Sequence, residues 1–259
     1  MESETTHYNV EESIVVITLN RPGALNVLNE EMRDSLKRAL LKAANDEAIR
    51  VVILTGEGRA FCAGADLKRL KHDYEHFKRT GEPSRFYDVS LPKILAFFPK
   101  PILAAVNGAA VGVGMTMTLS CDIRLASESA SFSCPFTRIG LTPEFGSAYF
   151  LPRLVGYSKA AEWVLTSRMI KAREAISSGL ISKITARDAD VLDETRKIAQ
   201  SIAAMPEEAT LLAKKLLRQA MDLNLNETLE EEFRVFLNCQ KEHSHYLAIT
   251  RVMEQIRGK

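Results

Sequence analysis

The sequence predicts an α/β fold whose sheets are covered by helices on both faces. In the first half of the chain, short and continuously apolar runs alternate with stretches of helical periodicity. From residue 147 onwards the patterns are almost entirely helical. Continuously apolar strands are typical of sheets buried on both faces. The 259 residues are enough for one large domain with a sizeable core.

The predicted strands are runs of β-branched and apolar residues that end at turn residues. The first, Ile14–Leu19, ends at an Asn-Arg-Pro-Gly turn, and Val51–Thr55 ends at Gly56. The later strands are Ile102–Val106, which precedes an Asn-Gly turn, Asp122–Ala126 and Ser131–Ser133.

The predicted helices follow from apolar residues three or four apart. In the first one, Asn29 is the expected N-cap, and the apolar positions run from Met32 to Ala43. The others are Leu67–Phe77, Tyr87–Phe98, a helix from the Gly-Val-Gly at 112–114 to Ser120, Tyr157–Thr166, Lys171–Ser178, Asp188–Met205, Glu207–Met221 and Leu229–Ile256. We therefore divide the chain into an α/β core, residues 1–200, and a helical C-terminal region, residues 201–259, that forms a lid or an oligomer contact.

Composition excludes several classes of protein. The 34 Lys and Arg residues balance 33 Asp and Glu, so the net charge is +1, which argues against a nucleic-acid or membrane-surface protein. No apolar run reaches the roughly 18–20 residues of a membrane span. The acidic first twelve residues lack the pattern of a signal or transit peptide. Because the four cysteines have no paired spacing, we expect reduced thiols and a cytoplasmic location.

Common catalytic and metal-binding motifs are absent from the sequence. There is no Walker A motif and no Gly-x-Ser-x-Gly elbow. The Gly-Val-Gly at 112–114 begins like a dinucleotide fingerprint, but Met117 occupies the place of its third glycine. His72 and His76 have ligand spacing on a helix, yet their charged neighbours are typical of a solvated face. We expect no bound metal.

Two segments rich in small residues each follow a strand and precede a helix. They are Arg59–Leu67 and Asn107–Met115. At a helix amino terminus the first N–H groups lack intrahelical partners, and the dipole favours negative charge. Two such termini facing one another would offer two donors to one developing oxyanion, although small residues also allow tight strand–helix packing.

These segments resemble the paired oxyanion-hole motifs of the enoyl-CoA hydratase/isomerase, or crotonase, superfamily. The resembling stretches are Asn20 to Pro22, Ala60–Leu67, Pro101–Asp122, Phe132–Gly156 and Gly179 to Ile181. The resemblance implies a crotonase-type spiral of repeated ββα units with a helical C-terminal region, assembled as a homotrimer or a dimer of trimers. It also implies an acyl-CoA thioester substrate, with coenzyme A as part of the substrate and no further cofactor.

The resemblance assigns roles to individual positions. The backbone N–H groups of Ala65 and Val113 would hold the thioester oxygen. The first segment would also wrap around coenzyme A. The residues expected to contact the substrate are Cys62, Ala63, Ala65, Asp66, Leu67, Val113 and Phe136.

The carboxylates decide which reaction the resemblance favours. Hydratases of the superfamily use two glutamates, and the corresponding positions here are Thr116 and Phe136. One acid remains nearby, Glu144, at a position similar to the single acidic residue of Δ3,Δ2-enoyl-CoA isomerases. One carboxylate could remove a proton from C2 and return it to C4 if water is excluded. We read the rival acids Asp66 and Asp122 as a helix cap and a structural residue.

The sequence therefore predicts an isomerase that converts a 3-enoyl-CoA to a trans-2-enoyl-CoA, with Glu144 as base and then acid. The alternatives are another single-carboxylate reaction of the superfamily, such as ring-opening isomerisation, decarboxylation or weak hydration, and a non-catalytic acyl-CoA-binding module.

Overall fold

A computed structural model of the chain describes residues 5–82, 88–188 and 190–257. The strands in these ranges are β1 (Thr6–Glu11), β2 (Ile14–Leu19), β3 (Val51–Gly56), β4 (Ala60–Cys62), β5 (Ile102–Val106), β6 (Ala109–Val111), β7 (Ile123–Ser127), β8 (Ser131–Ser133), β9 (Ile170–Lys171) and β10 (Lys183–Thr185). The helices are α1 (Glu30–Asn45), α2 (Leu67–Thr80), α3 (Ser90–Ala96), α4 (Val113–Leu119), α5 (Ser147–Val155), α6 (Tyr157–Thr166), α7 (Ala172–Ser177), α8 (Asp190–Ala203), α9 (Glu207–Gln219), α10 (Leu225–Lys241) and α11 (His243–Arg257).

From β3 to β8, consecutive strands of the chain belong alternately to two sheets. One sheet has the order β1-β2-β3-β5-β7-β10, and the other has the order β4-β6-β8-β9. β3, β5 and β7 of the larger sheet are each followed by a short strand of the smaller sheet and then by helix. Successive turns pair in parallel in both sheets. This repetition confirms the predicted crotonase-type spiral of ββα units with a helical C-terminal region.

The central strands β2, β3 and β5 of the larger sheet are buried on both faces, which explains their continuously apolar sequences. Alternate residues of β2 point to opposite sides, so Val15 and Ile17 belong to one apolar cluster and Val16 to another. The first cluster includes Met32, Leu36 and Leu40 of α1, whereas α8 closes the second with Val191 and Ala199. The sheet therefore lies between α1 and α8, with one apolar cluster on each face.

A buried asparagine and a glycine allow the chain to pass between the sheets. The Asn107 amide donates to the carbonyl of Gly58 at 2.7 Å, and its Oδ1 accepts from the Gly56 N–H at 3.3 Å. A Cβ on Gly108 would lie 2.2 Å from the Arg59 carbonyl oxygen. The side-chain amide thus satisfies backbone groups that no strand pairs, and the glycine lets two turns of the spiral meet.

An ion-pair cluster fastens the C-terminal helices to the core. Asp122 accepts from Lys214 of α9 at 2.7 Å and from Arg218 of α9 at 2.9 Å. Its Oδ2 also accepts from the N–H of Ile102 at the start of β5, at 2.9 Å. These contacts confirm the structural reading of Asp122. In the described part of the chain, none of the helices is both long and apolar enough to cross a membrane.

Three predicted helices differ from the observed ones. The helix predicted from Tyr87 begins at Ser90. The Ser90 N–H donates a hydrogen bond to the Asp88 carboxylate at 2.7 Å. Tyr87 itself lies outside the described residues. The stretch 171–178 opens with β9 before α7 begins. The helix predicted over 229–256 is wrong, because it is two helices separated by Glu242, whose ψ of 139° is extended.

The strand crossing at Gly108 gives a testable stability prediction. We expect Gly108→Ala to lower the free energy of unfolding by about 3 kcal/mol, because the new methyl group cannot fit against a backbone carbonyl. Gly23→Ala is the matched control, since a Cβ there would have no atom within 4 Å. Urea unfolding of both variants measures the difference. Equal stabilities would contradict the close approach.

Candidate active site

The first of the two loops is held in place by backbone hydrogen bonds. β4 ends at Cys62, and the Ala63 N–H donates to the Leu25 carbonyl at 2.9 Å. The Gly64 carbonyl accepts from the Leu28 N–H at 2.8 Å, and Gly64 itself has a φ of 111°. Asp66 then caps α2 by accepting from the Lys68 N–H at 2.9 Å, as predicted. Ala65, which forms an isolated parallel β-bridge with Leu28, therefore lies in a fixed segment just before a helix.

The second loop brings the start of α4 onto the end of β4. Gly112 has a φ of 54° and a ψ of −123°, a conformation that residues with a side chain avoid. A Cβ on Gly114 would lie only 2.0 Å from the Cys62 carbonyl oxygen, so glycine is required there. A Cβ on Gly112 would lie 3.9 Å from the Gly64 Cα. The structure thus brings the two predicted loops into contact.

Two backbone N–H groups of this junction are available for a ligand. Within the described residues, neither the N–H of Ala65 nor that of Val113 donates a hydrogen bond. Val113 is the first residue of α4, where the N–H has no intrahelical acceptor and the helix dipole is positive. Each of these N–H groups is therefore a candidate donor to an anion or a polarised carbonyl oxygen.

Glu144 is positioned by a turn that leads into α5. Its carbonyl accepts from the Ser147 N–H at 3.0 Å and from the Ser147 hydroxyl at 2.7 Å. Phe145 has a φ of 58° and Gly146 a φ of 75°, so two successive residues are left-handed. That conformation is strained for a phenylalanine, and strain of this kind is concentrated at functional sites.

The Glu144 carboxyl group contacts the helix that carries Val113. The residue as a whole is exposed, but Oε1 accepts from the hydroxyl of the fully buried Thr116 at 3.1 Å. Desolvation of the carboxyl group raises its pKa to about 7, and the Thr116 hydrogen bond opposes this rise. A carboxyl group with this pKa can both accept and donate a proton near neutral pH.

Five other acidic side chains of the described residues show the opposite shift in pKa. The resolved shifts of Asp88, Glu162, Glu174, Glu194 and Glu231 are all downward, because hydrogen bonds and positive charges favour their ionised forms. A desolvated carboxyl group without a cationic partner is typical of a functional site.

A buried thiol lies near Glu144, and the predicted apolar residue Phe136 is buried as well. Phe136 is 5% exposed, and Cys134 is fully buried with its thiol 3.5 Å from the Met115 sulfur. Burial, together with the negative charge of Glu144, raises the Cys134 pKa to about 12, so the thiol stays neutral. The thiol therefore adds no charge near the Glu144 carboxyl group.

The residues expected to contact coenzyme A differ in accessibility. Leu67 is 66% exposed, and Ala63, Ala65 and Asp66 are partly exposed, so they offer surface to a ligand. Cys62 is fully buried, and burial raises its pKa to about 11. A contact from Cys62 would have to come from its backbone.

A cavity of about 970 Å³ lies elsewhere in the molecule. It lies among Pro101 and Asp122, at the amino ends of β5 and β7, Phe150 of α5, and Lys214 of α9. Ala65 and Val113 instead follow the carboxyl ends of β4 and β6. None of the predicted site residues lines this cavity. We therefore place the candidate site at the loop junction.

The hydrogen bond from Thr116 to Glu144 is the feature that sequence reasoning missed. In the sequence, Thr116 is recognised because it stands where hydratases have a glutamate. Its spacing of three residues after Val113 does place both on one face of α4. However, no local pattern connects it to an acid 28 residues further along the chain.

Comparisons with known proteins agree with this fold. The model of the enoyl-CoA hydratase/isomerase family matches residues 9–257. The short-chain-enoyl-CoA hydratase of Clostridium acetobutylicum is 33% identical over 256 residues, covering 98% of this chain and 97% of that protein. The 1,2-epoxyphenylacetyl-CoA isomerase of Escherichia coli is 35% identical over 231 residues, covering 86% of each. The crystal structure of an enoyl-CoA hydratase from Bacillus anthracis superimposes with a TM-score of 0.88 at 30% identity, covering 97% of this chain and 96% of that one.

The fold and the paired loops define a crotonase-type α/β protein. The chain belongs to the enoyl-CoA hydratase/isomerase family, as the sequence resemblance predicts. Membership of this family supports an enzymatic activity on an acyl-CoA.

The raised pKa of Glu144 gives a stability prediction. Above pH 7 the folded chain must hold this desolvated carboxylate in its charged form, a cost that disappears as pH falls towards the ordinary carboxyl pKa. Because Glu144 is exposed, solvent screening limits this cost to about 1 kcal/mol. We therefore expect Glu144→Gln to raise Tm by about 2–4 °C at pH 8 and to have less effect at pH 5. Calorimetry at both pH values measures it. A lower Tm of the variant at pH 8 would contradict the desolvation.

Proposed function

We propose that the protein is an isomerase that converts a 3-enoyl-CoA to a trans-2-enoyl-CoA. The observation that carries this proposal is Glu144, a single desolvated carboxyl group beside the start of α4, with a pKa near neutrality. The available N–H groups of Ala65 and Val113 are the proposed oxyanion donors.

The proposed reaction uses one base for two proton transfers. The Glu144 carboxylate removes a proton from C2 of the thioester, and the resulting negative charge moves to the thioester oxygen, where Ala65 and Val113 donate hydrogen bonds. The Glu144 carboxylic acid then returns the proton to C4, and the double bond forms between C2 and C3. The apolar side chain of Phe136 would help to exclude water from the enolate.

The residues present argue against efficient hydration. Several relatives, including the one from Clostridium acetobutylicum, are named as hydratases. Hydration in the superfamily depends on two glutamates, yet this chain has Thr116 and Phe136 at those positions. Neither side chain can exchange a proton as a carboxyl group does. One carboxylate is sufficient for the isomerisation.

A second candidate reaction is isomerisation of a CoA thioester derived from an aromatic acid. The relative from Escherichia coli, named as a 1,2-epoxyphenylacetyl-CoA isomerase, favours it at 35% identity. The same Glu144 and oxyanion donors would serve, and only the acyl group would differ. Decarboxylation and a purely acyl-CoA-binding role remain further outcomes of the experiments below.

The other expected properties are proposals of the same kind. The substrate would be a CoA thioester bound by Ala63, Ala65, Asp66 and Leu67, without a further cofactor or metal. The protein would assemble as a homotrimer or a dimer of trimers. Its location would be the cytoplasm. Support for an assembly comes from apolar side chains that α9, α10 and α11 leave more than half exposed, namely Leu217, Leu225, Leu229, Phe233, Phe236, Val252 and Ile256.

Substitution of the proposed base tests the reaction. We expect the purified protein to isomerise a cis-3-enoyl-CoA without hydrating a trans-2-enoyl-CoA, and Glu144→Gln to lower kcat at least about 1,000-fold while binding of a CoA thioester is kept. Chromatography with mass detection identifies the products, and calorimetry measures binding.

The matched control is Glu128→Gln, an exposed acid paired with Arg173 on the surface, which should leave turnover unchanged. Hydration of the 2-enoyl-CoA by the wild-type protein would overturn the assignment. Turnover of an epoxyphenylacetyl-CoA alone would favour the second candidate, and binding without turnover of any thioester would favour the non-catalytic module.

The pH dependence of the reaction follows from the base. Because Glu144 must be ionised to remove a proton and its pKa is about 7, we expect kcat/KM to fall about tenfold per pH unit below pH 7 and to level off above it. Initial rates between pH 5 and 9 measure this profile, and circular dichroism verifies folding at each pH. A constant kcat/KM between pH 5 and 7 would contradict Glu144 as the base.

A further inference from the structure

We propose that Thr116 is a positioning residue that gives the two oxygens of Glu144 different tasks. Its hydroxyl donates a hydrogen bond to Oε1, so that Oε2 alone carries the proton between C2 and C4. This inference rests on the proposed isomerase function. It adds a role for a residue that stands where a hydratase would have a catalytic acid.

The geometry begins with the burial of the hydroxyl. Thr116 is fully buried, so its hydroxyl hydrogen must find a partner inside the protein. Two acceptors are within reach, Glu144 Oε1 at 3.1 Å and the Val113 carbonyl at 3.4 Å. A hydroxyl has one hydrogen and cannot donate fully to both.

The ionised carboxylate is the stronger of these two acceptors. Hydrogen bonds to a charged oxygen are roughly twice as strong as those between neutral groups. With Glu144 ionised, the hydroxyl therefore donates to Oε1. Oε2 has no hydrogen-bond partner in the described part of the chain, which leaves it free for the substrate.

Proton transfer then changes the balance between the acceptors. When the C2–H bond breaks, its electrons move into the enolate and the proton binds Oε2. The neutral acid is a weaker acceptor, so the Thr116 hydroxyl can turn to the Val113 carbonyl. When the O–H bond of Oε2 breaks, its electron pair stays on the carboxylate, and the proton bonds to C4 through the electrons of the C3–C4 double bond. The C1–C2 electrons of the enolate then form the C2–C3 double bond, and the thioester carbonyl re-forms. The buried hydroxyl keeps an acceptor at both stages.

Few other groups influence this carboxyl group. The neighbouring titratable side chain is Cys134, which is neutral because burial raises its pKa to about 12. Desolvation and the Thr116 hydrogen bond are the causes of the Glu144 pKa shift, and no charged side chain of the described residues is among them. A change at Thr116 should therefore be visible in the titration of Glu144.

The test replaces the hydroxyl with a methyl group of similar size. We expect Thr116→Val to lower kcat about tenfold with little change in KM, and to move the acid limb of the kcat/KM profile upwards by about one pH unit, because the ionised form loses a hydrogen bond. Thr116→Ser, which keeps the hydroxyl, should restore both values. The matched control is Thr118→Val, a buried threonine of the same helix whose hydroxyl donates to the Met115 carbonyl at 2.7 Å.

A second readout follows the proton itself. With C2-deuterated substrate, the wild-type protein and Thr116→Ser should transfer more deuterium to C4 than Thr116→Val does. An unchanged pH profile and unchanged deuterium transfer in Thr116→Val would overturn the inference, whatever its kcat. The same holds if Thr118→Val shifts the profile equally.

The failure of this inference can be distinguished from failure of the proposed function. If the wild-type protein isomerises no 3-enoyl-CoA, the proposed function is wrong. NMR titration of the Glu144 carboxyl carbon, in protein with labelled glutamate, then still measures whether Thr116→Val raises its pKa. An unchanged pKa would overturn the coupling itself.

Discussion

The close packing of the start of α4 on the end of β4 is the constraint on which the site depends. Gly114 permits it, since any side chain there would meet the Cys62 carbonyl. The contact sets the position of the Val113 N–H relative to the Ala65 loop, and it also places Thr116 one turn further along the same helix. The spiral supplies two equivalent strand–turn–helix junctions, and this contact brings them together.

The features that suit Glu144 to its proposed role also cost stability. Its carboxyl group is desolvated without a cation to compensate, and the turn that presents it contains a left-handed phenylalanine. Both features oppose folding by themselves. The large buried sheet and the Asp122 ion-pair cluster offset these costs at some distance from the reaction, so stability and chemistry are provided by different parts of the chain.

Much of the fold could be predicted from the sequence, because long apolar strands and capped helices leave local patterns. β4 was missed because three small or apolar residues next to a glycine-rich loop resemble that loop. The break at Glu242 was missed since one extended residue leaves the apolar spacing on both sides intact. The pairing of Thr116 with Glu144 has no local pattern at all, because the tertiary fold creates it.

The buried thiols matter for the proposed reaction, because its product would react with an ionised cysteine. A 2-enoyl thioester is an electrophile that adds to thiolates. With pKa values of about 11 and 12, Cys62 and Cys134 are ionised in only about one molecule in 10,000 or fewer at pH 7. The cysteines next to the candidate site are therefore almost unreactive, which would protect the protein from self-alkylation during turnover.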